Sequence, residues 1–216
     1  MARRGERLCA AAALMLCAFA CRAAAPDFGL ELASDDARYA AAWVMSSLDH
    51  HDRPFAIVDK RDARLYVFDA AGRLSGASPV LLGLAPGDEA SADIAQRRPA
   101  SLAPNERSTP AGRFESQPGH NDKGEPIVWV DYAASLAIHR LRPAPAQERR
   151  AERLASETPD DNRISYGCVV VPVAFYEAVV EPALGRQRGV VYVLPEMRPV
   201  QAMFDGALQL RLAGGR

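Results

Sequence analysis

The sequence predicts a mainly β fold, a sandwich or a barrel with a few short helices. Short apolar or alternating segments bounded by turns recur along the chain and outnumber the helical patterns. Strand and helix patterns do not alternate as they do in a parallel α/β sheet, which favours the sandwich and barrel architectures. Of the 216 residues, 49% are hydrophobic and 25% charged, the composition of an ordinary globular domain.

The first elements are a helix and an antiparallel meander. Ser34 is a good N-cap for a helix over 34–51, because its hydroxyl can accept from N–H groups of the first turn. Segments 55–60, 63–69 and 73–83 then read as strands joined by short turns. Short turns between neighbouring strands favour antiparallel pairing.

Further strands and two polar insertions follow. We expect strand segments at 108–116, 125–132, 135–140, 163–172 and 189–196, and a short helix at 173–184. The insertion 85–107 reads as a long loop. The insertion 141–163 is expected to carry a solvated, mobile helix over 145–156, because like charges stack there four residues apart.

Residues 1–23 have the pattern of an export signal. A basic flank precedes the apolar run 8–20, and small residues follow it. This run is too short and too rich in alanine for a membrane span. We expect cleavage near 23–25, or else before Cys21, whose acylation would make a lipoprotein. Either way, the sequence predicts a periplasmic protein.

Charge and cysteine content exclude several classes of protein. The net charge is −1, from 26 basic and 27 acidic residues, so no overall basic field is present to hold nucleic acid. Three of the four cysteines lie in the export signal or at its edge, which leaves Cys168 without a disulfide partner. With one such cysteine and no His-x-x-x-His pair, neither a metal site nor a cofactor is expected.

Cys168 and His139 are the candidate reactive pair. Each lies at the end of a predicted β segment beside a polar insertion, where loops over a rigid sheet commonly carry chemistry. An imidazole brought close to the thiol would take its proton and leave a nucleophilic thiolate. Gly167 permits a tight turn whose N–H groups would stabilise an oxyanion. Composition alone leaves open the alternative that both side chains only fill the core.

Three segments resemble, in this order, the catalytic domain of the L,D-transpeptidases, also called the YkuD-like family. They are STPAGRF (108–114), SLAIHR (135–140) and ISYGCVVV (164–171). The family carries a Thr-Pro-x-Gly-x-Phe turn, a strand ending in Ile-His and a Ser-x-Gly-Cys element. The resemblance implies an L,D-transpeptidase-like β-sandwich or barrel with a helical insertion near the active site. The expected organisation is a signal peptide at 1–23, an N-terminal helical segment at 24–52, the catalytic domain at 53–196 and a C-terminal tail at 197–216.

The resemblance also implies roles for individual residues. Cys168 would be the nucleophile and His139 its base, with the imidazole oriented by the backbone carbonyl of Arg140. Gly167 and the Cys168 amide match the oxyanion turn, and Ser165 matches the Ser or Thr of the motif. These roles make Cys168, His139 and Gly167 the predicted catalytic residues.

The sequence departs from the family pattern at two positions of the site. Tyr166 stands where His is usual, and Val170 stands where Arg or Asn is common. The Tyr166 hydroxyl can still donate a hydrogen bond, and a polar contact to substrate would have to come from Arg163 or Arg140. Ser165, Tyr166, Arg140 and Arg163 are therefore the predicted substrate-binding residues.

The function implied by the resemblance is acyl transfer on peptidoglycan stem peptides. A thioester would form at Cys168, a D-amino acid would leave, and an amine of a second stem peptide or of a wall protein would accept the acyl group. With water as acceptor, the same site would act as an L,D-carboxypeptidase or endopeptidase. The departures at Tyr166 and Val170 suggest a second hypothesis, a peptidoglycan-binding module without catalysis. The insertion 141–163 is expected to form a lid or a side wall of the cleft.

Overall fold

A computed structural model describes residues 25–204, except 92, 95–96 and 98–100. The predicted signal peptide at 1–23, with Cys21, lies outside the described residues, as does the end of the predicted tail at 205–216. Within the described part of the chain, no helix has the length and apolar character needed to cross a bilayer.

Strands dominate the described residues, which confirms the mainly β prediction. In chain order they are β1 (Phe55–Asp59), β2 (Arg64–Phe68), β3 (Leu74–Pro79), β4 (Leu82–Gly83), β5 (Gly112–His120), β6 (Pro126–Asp131), β7 (Leu136–Arg140), β8 (Arg163–Ser165), β9 (Val169–Val171) and β10 (Gly189–Val193). The helices are α1 (Asp35–Ser47), α2 (Arg150–Ala155) and α3 (Val173–Phe175), which continues as a π-type helix (Tyr176–Gly185). Short 3-10 turns occupy Pro104–Glu106, Ala146–Glu148 and Pro159–Asp161.

Helix α1 begins where the sequence predicts and ends earlier. The Ser34 hydroxyl accepts from the N–H of Ala37, which satisfies one of the unpaired donors of the first turn. The helix ends at Ser47, and the next residue, Leu48, turns the chain with a positive φ of 55°. Its buried face packs on one side of the sheet, against a cluster that includes Phe55 and Tyr192.

Eight of the strands form one sheet in the order β3-β2-β1-β10-β5-β6-β7-β9. The long strand β5 joins its two halves, because residues 112–116 pair with β10 and residues 117–120 pair with β6. Backbone hydrogen bonds of 2.8 and 2.9 Å between Leu81 and Val170 connect the chain after β3 to β9. The sheet is therefore almost closed on itself, as expected for a form between a sandwich and a barrel.

The central core lies between the two halves of the sheet. It contains Val58 and Val191 from one half, Val128 and Ile138 from the other, and Tyr176 from the π-type helix. Strands β1, β2 and β10 are buried on both faces, since their alternate residues enter the separate cluster under α1. This double burial explains why both alternating sets of residues in these strands are apolar.

Three details differ from the sequence prediction. The expected strand 73–83 divides into β3 and β4, because β4 leaves the meander and pairs in parallel with β8. Two further pairs are parallel, β1 with β10 and β7 with β9. Local turn patterns could not predict them, because parallel strands are joined by long connections. The helix expected over 145–156 is shorter, because Arg149 adopts a φ of 49° and interrupts it.

The insertion 141–163 is largely exposed, as the sequence predicts for its helix, and it is also anchored to the body of the protein. Leu154 of α2 is buried and packs with Leu81 and Val170. Arg153 donates hydrogen bonds to the carbonyl oxygens of Glu148 and Asp161. The expected repulsion between like charges is offset, because Arg149 and Arg150 pair instead with Glu152 and Glu148.

Candidate active site

The turn between β8 and β9 presents Cys168, and Ser165 supports this turn from inside. The buried Ser165 hydroxyl donates to the carbonyl oxygen of Cys168 at 2.7 Å and accepts from the N–H of Gly167 at 3.0 Å. Gly167 has a φ of +133°, and an added Cβ would lie 2.9 Å from the carbonyl oxygen of Ser108. The turn therefore requires glycine at this position.

Thr109 fastens the same turn to the body of the protein. Its buried hydroxyl donates to the carbonyl oxygen of Gly167 at 2.8 Å and accepts from the N–H of Gly83 at 2.9 Å. Behind it, the fully buried Lys60 ammonium donates to the carbonyl oxygen of Thr109 at 2.9 Å and pairs with Asp88 at 2.8 Å. A buried polar network therefore holds the position of the cysteine.

His139 lies on β7, which pairs in parallel with β9 and so borders the cysteine turn. In this register His139 is opposite Val170, two residues after Cys168. His139 Nδ1 lies 2.8 Å from the carbonyl oxygen of Arg140, the contact that the resemblance implies. Because a carbonyl only accepts, Nδ1 carries the proton in this contact, and the neutral ring leaves Nε2 free to accept one.

Cys168 and His139 line two adjoining clefts together. The first cleft, of about 370 Å³, has the aromatic pair Trp129 and Tyr132 in its wall. The second cleft, of about 450 Å³, has Tyr166 and part of the insertion 141–163 in its wall. The insertion therefore forms a side wall, one of the two forms expected from the sequence.

The pKa values of the pair favour two neutral groups. Burial raises the pKa of the Cys168 thiol, while a backbone hydrogen bond from Ala137 and the charge of Arg142 oppose that rise. Burial lowers the pKa of His139 to about 4; the Arg140 contact opposes this effect, and the charges of Arg142 and Arg150 add to it. Both shifts favour the neutral forms of the pair, a thiol at Cys168 and a neutral imidazole at His139.

The thiol hydrogen has a carbonyl acceptor in this state. Cys168 Sγ donates to the carbonyl oxygen of Ser135, with a distance of 3.5 Å between the two heavy atoms. Ser135 has a φ of 52°, at the bend that precedes β7. In this arrangement the thiol hydrogen points to a backbone carbonyl.

Of the predicted substrate-binding residues, some line the clefts and others bond elsewhere. Tyr166 lines the second cleft, and the guanidinium of Arg107 lies 4.6 Å from the centre of its ring. The Arg140 side chain turns towards Glu125 and Glu177 instead, and Arg163 is held by Glu196 and by the carbonyl oxygen of Lys60. The two arginines therefore have other partners, whereas Tyr166 and Ser165 both line the second cleft.

Ser165 and Gly167 have contacts that change the interpretation of the turn. The Ser165 hydroxyl is committed to the Gly167 and Cys168 backbone, which is a supporting role rather than a substrate contact. The Gly167 N–H is likewise used by Ser165, so the oxyanion donor to consider in this turn is the N–H of Cys168. Val170 is buried against Leu81 and Leu154, where a charged side chain would be unpaired.

The sequence analysis missed two residues that bear directly on the site. Arg142 lines both clefts, and its charge acts on the pKa of His139 and of Cys168. The only signal for it was a second arginine shortly after the strand that carries His139. Thr109 belongs to the Thr-Pro turn, but nothing local shows that its hydroxyl reaches Gly167.

No protein-family model and no curated protein matches the sequence. Solved structures are similar over part of the chain. The catalytic domain of the L,D-transpeptidase from E. faecium is 17% identical, and the match covers 66% of this chain and 98% of that one, with a TM-score of 0.35.

Two longer solved chains are also similar over part of the chain. The helical cell shape determining protein Pgp2 from Campylobacter jejuni is 14% identical, with 70% of this chain and 52% of that one covered and a TM-score of 0.41. The Ldtfm–avibactam carbamoyl enzyme is 16% identical, with 66% and 49% covered and a TM-score of 0.38. The chain therefore spans about half the length of these two proteins.

Proposed function

We propose that this protein is a periplasmic cysteine acyltransferase that acts on peptidoglycan stem peptides, an L,D-transpeptidase. One observation carries the proposal. Cys168 and His139 line the same two adjoining clefts, and the Arg140 carbonyl orients the imidazole so that Nε2 is the free acceptor. The ordered motifs that include Thr109, Gly167 and both reactive residues support the same assignment.

The first half-reaction would form a thioester. As the Cys168 sulfur attacks the carbonyl carbon of an amide that follows an L-configured centre, the thiol proton moves to His139 Nε2. The N–H of Cys168 would donate to the oxyanion of the tetrahedral intermediate. The C–N bond then breaks, the leaving nitrogen takes the proton from His139, and a D-amino acid departs.

The second half-reaction would consume the thioester. An amine enters, loses its proton to His139 and attacks the same carbonyl carbon, after which the C–S bond breaks and the sulfur regains a proton. Because Cys168 lines two adjoining clefts, the acyl group would remain in one while the acceptor approaches through the other. The acceptor can be an amine of a second stem peptide or of a wall protein, or water, which would make the protein a carboxypeptidase or endopeptidase.

A binding module without catalysis is the alternative that one observation favours. The neutral resting pair, with the pKa of His139 near 4, is less reactive than an ion pair of thiolate and imidazolium. Tyr166 and the buried Val170 add the departures seen in the sequence. Such a module would bind stem peptides in the same clefts and leave them unchanged.

The test compares the full-length wild-type protein with Cys168→Ala on defined tetrapeptide muropeptides, with product analysis by mass spectrometry. We expect wild type to release the terminal D-residue and to form a cross-linked, exchanged or hydrolysed product, while Cys168→Ala forms none. Equal turnover by both proteins would contradict catalysis at Cys168. Binding by both proteins without turnover by either would establish the binding module instead.

Export by residues 1–23 belongs to the same proposal. Fusion of residues 1–30 to a reporter that is active only after export should give activity, and deletion of the apolar run 8–20 should abolish it. An inactive fusion would place the protein away from its proposed substrate. Radioactive palmitate would label Cys21 if the lipoprotein alternative holds, and signal cleavage near 23–25 would leave no label.

A further inference from the structure

Arg142 occupies the junction of the clefts around the reactive pair. It lines the first and the second cleft, and it also lines a third, smaller cleft of about 310 Å³ inside the insertion. Its side chain is 31% exposed, so a ligand can reach the guanidinium. No other charged residue lines all three of these clefts.

The guanidinium of Arg142 is supported on one side and open on the other. A carboxylate oxygen of Glu125 lies 2.9 Å from the Arg142 Nε and forms an ion pair with it, without the geometry of a hydrogen bond. Glu125 also forms an ion pair with Arg140 at 3.6 Å. Glu125 does not line the three clefts, whose acidic lining residues are Asp122, Glu148 and Glu152. Glu148 is already paired with Arg150.

The charge of Arg142 shifts the pKa of both reactive side chains, and Arg142 lines the same clefts. Its guanidinium is therefore close to where a substrate amide must be held. It opposes the protonated form of His139 and favours the ionised form of Cys168. In the proposed reaction, the leaving residue carries its carboxylate carbon about 2.5 Å from the nitrogen of the scissile amide. A guanidinium beside the reactive pair is therefore within reach of that carboxylate, which it can bind through two parallel hydrogen bonds.

Resting on the proposed function, we propose that Arg142 forms a carboxylate subsite that selects stem peptides whose leaving D-residue is terminal and carries a free carboxylate. The other arginines near the pair are less suitable. The side chains of Arg140 and Arg163 have partners elsewhere, and Arg150 lines the second cleft while paired with Glu148. Arg142 thus replaces, from a different chain segment, the polar contact that the buried Val170 does not provide.

The first experiment measures substrate selectivity. Wild type, Arg142→Gln and Arg142→Lys are compared on a tetrapeptide muropeptide and on the same muropeptide with its terminal carboxylate converted to a carboxamide. We expect wild type to prefer the carboxylate substrate by about 10- to 100-fold in kcat/KM. Arg142→Gln should lose most of this preference, and Arg142→Lys should keep part of it. An unchanged preference in Arg142→Gln would overturn the proposal.

Arg149→Gln is the matched control. Arg149 lines the smallest cleft, but its side chain is 71% exposed, and it pairs with Glu152 rather than facing the reactive pair. The control should retain the wild-type preference. A loss of preference equal to that of Arg142→Gln would indicate a general effect of surface charge, which would contradict a subsite at Arg142.

The second experiment does not depend on the proposed function. Alkylation rates of Cys168 are measured at one pH with anionic iodoacetate and with neutral iodoacetamide, and the modified peptide is identified by mass spectrometry. Arg142→Gln should lower the iodoacetate-to-iodoacetamide rate ratio several-fold, and Arg149→Gln should leave it unchanged. An unchanged ratio in Arg142→Gln would refute the subsite. A lowered ratio in a protein that turns over neither muropeptide would refute the proposed function and retain the anion site.

Discussion

Replacement of Thr109 by valine tests the link between the Thr-Pro turn and the cysteine turn. Valine has nearly the shape of threonine, so the change removes the hydroxyl and little volume. The N–H of Gly83 and the carbonyl oxygen of Gly167 would then lose a partner in a buried site. The backbone contact from Lys60 to the Thr109 carbonyl is unaffected by this substitution.

The expected loss of stability follows from these two groups. Each buried donor or acceptor left without a partner costs about 1–3 kcal/mol, so Thr109→Val should lower the free energy of unfolding by about 2–6 kcal/mol. Thr109→Ser keeps the hydroxyl and removes one methyl group, which costs about 1 kcal/mol. The contrast between the two variants therefore isolates the hydrogen bonds from the packing.

The assay is urea unfolding followed by far-ultraviolet circular dichroism, together with the rate of Cys168 alkylation by iodoacetamide under native conditions. We expect Thr109→Val to unfold at lower urea with an unchanged slope, and to alter the alkylation rate because the turn loses an anchor. Thr109→Ser should resemble wild type in alkylation. Stabilities of the two variants within about 0.5 kcal/mol of each other would refute the role assigned to the hydroxyl.

Three further predictions concern the same region. Gly167→Ala should destabilise the protein by about 1–3 kcal/mol in urea unfolding, because its Cβ meets the Ser108 backbone at a φ of +133°; wild-type stability would contradict this. His139 has its pKa lowered to about 4 by burial, so the unfolded chain binds more protons between about pH 6.5 and 4. Stability should fall by on the order of 3 kcal/mol as pH falls through this window, and a His139→Gln variant with the same slope would exclude this cause. Leu154→Ala should cost about 2–3 kcal/mol and speed proteolysis within 146–156, since Leu154 packs on Val170; unchanged cleavage would show that this contact does not anchor the insertion.

The local elements of the fold could be predicted from the sequence. Ser34 and the acidic residues after it define the start of α1, and the alternation of side chains over 63–69 predicts β2 with two apolar faces. These features depend on hydrogen bonds and side-chain periods within a few residues. The division of 73–83 into β3 and β4 was not predictable, because the partner that draws β4 out of the meander is β8, far along the chain.

The candidate site was predictable in its residue types and not in its contacts. Cys168 and His139 stand out because a cysteine and a histidine in ordered motifs are uncommon and chemically specific. The same reasoning placed Arg163 and Arg140 at the substrate, whereas long-range ion pairs hold their side chains at Glu196, Glu125 and Glu177. Because the arginine side chain is long, the position of an arginine near the base in sequence does not determine where its guanidinium lies.

The sequence by itself determined the strands, the capped helix and the two side chains on which the proposed chemistry depends, because each follows from residue type and short-range spacing. Tertiary structure alone decided that Thr109 holds the cysteine turn, that the Ser165 hydroxyl bonds to the backbone of that turn and that Arg142 lines the clefts of the reactive pair. It also decided the protonation of the pair, since a pKa depends on burial and on charges brought near by folding.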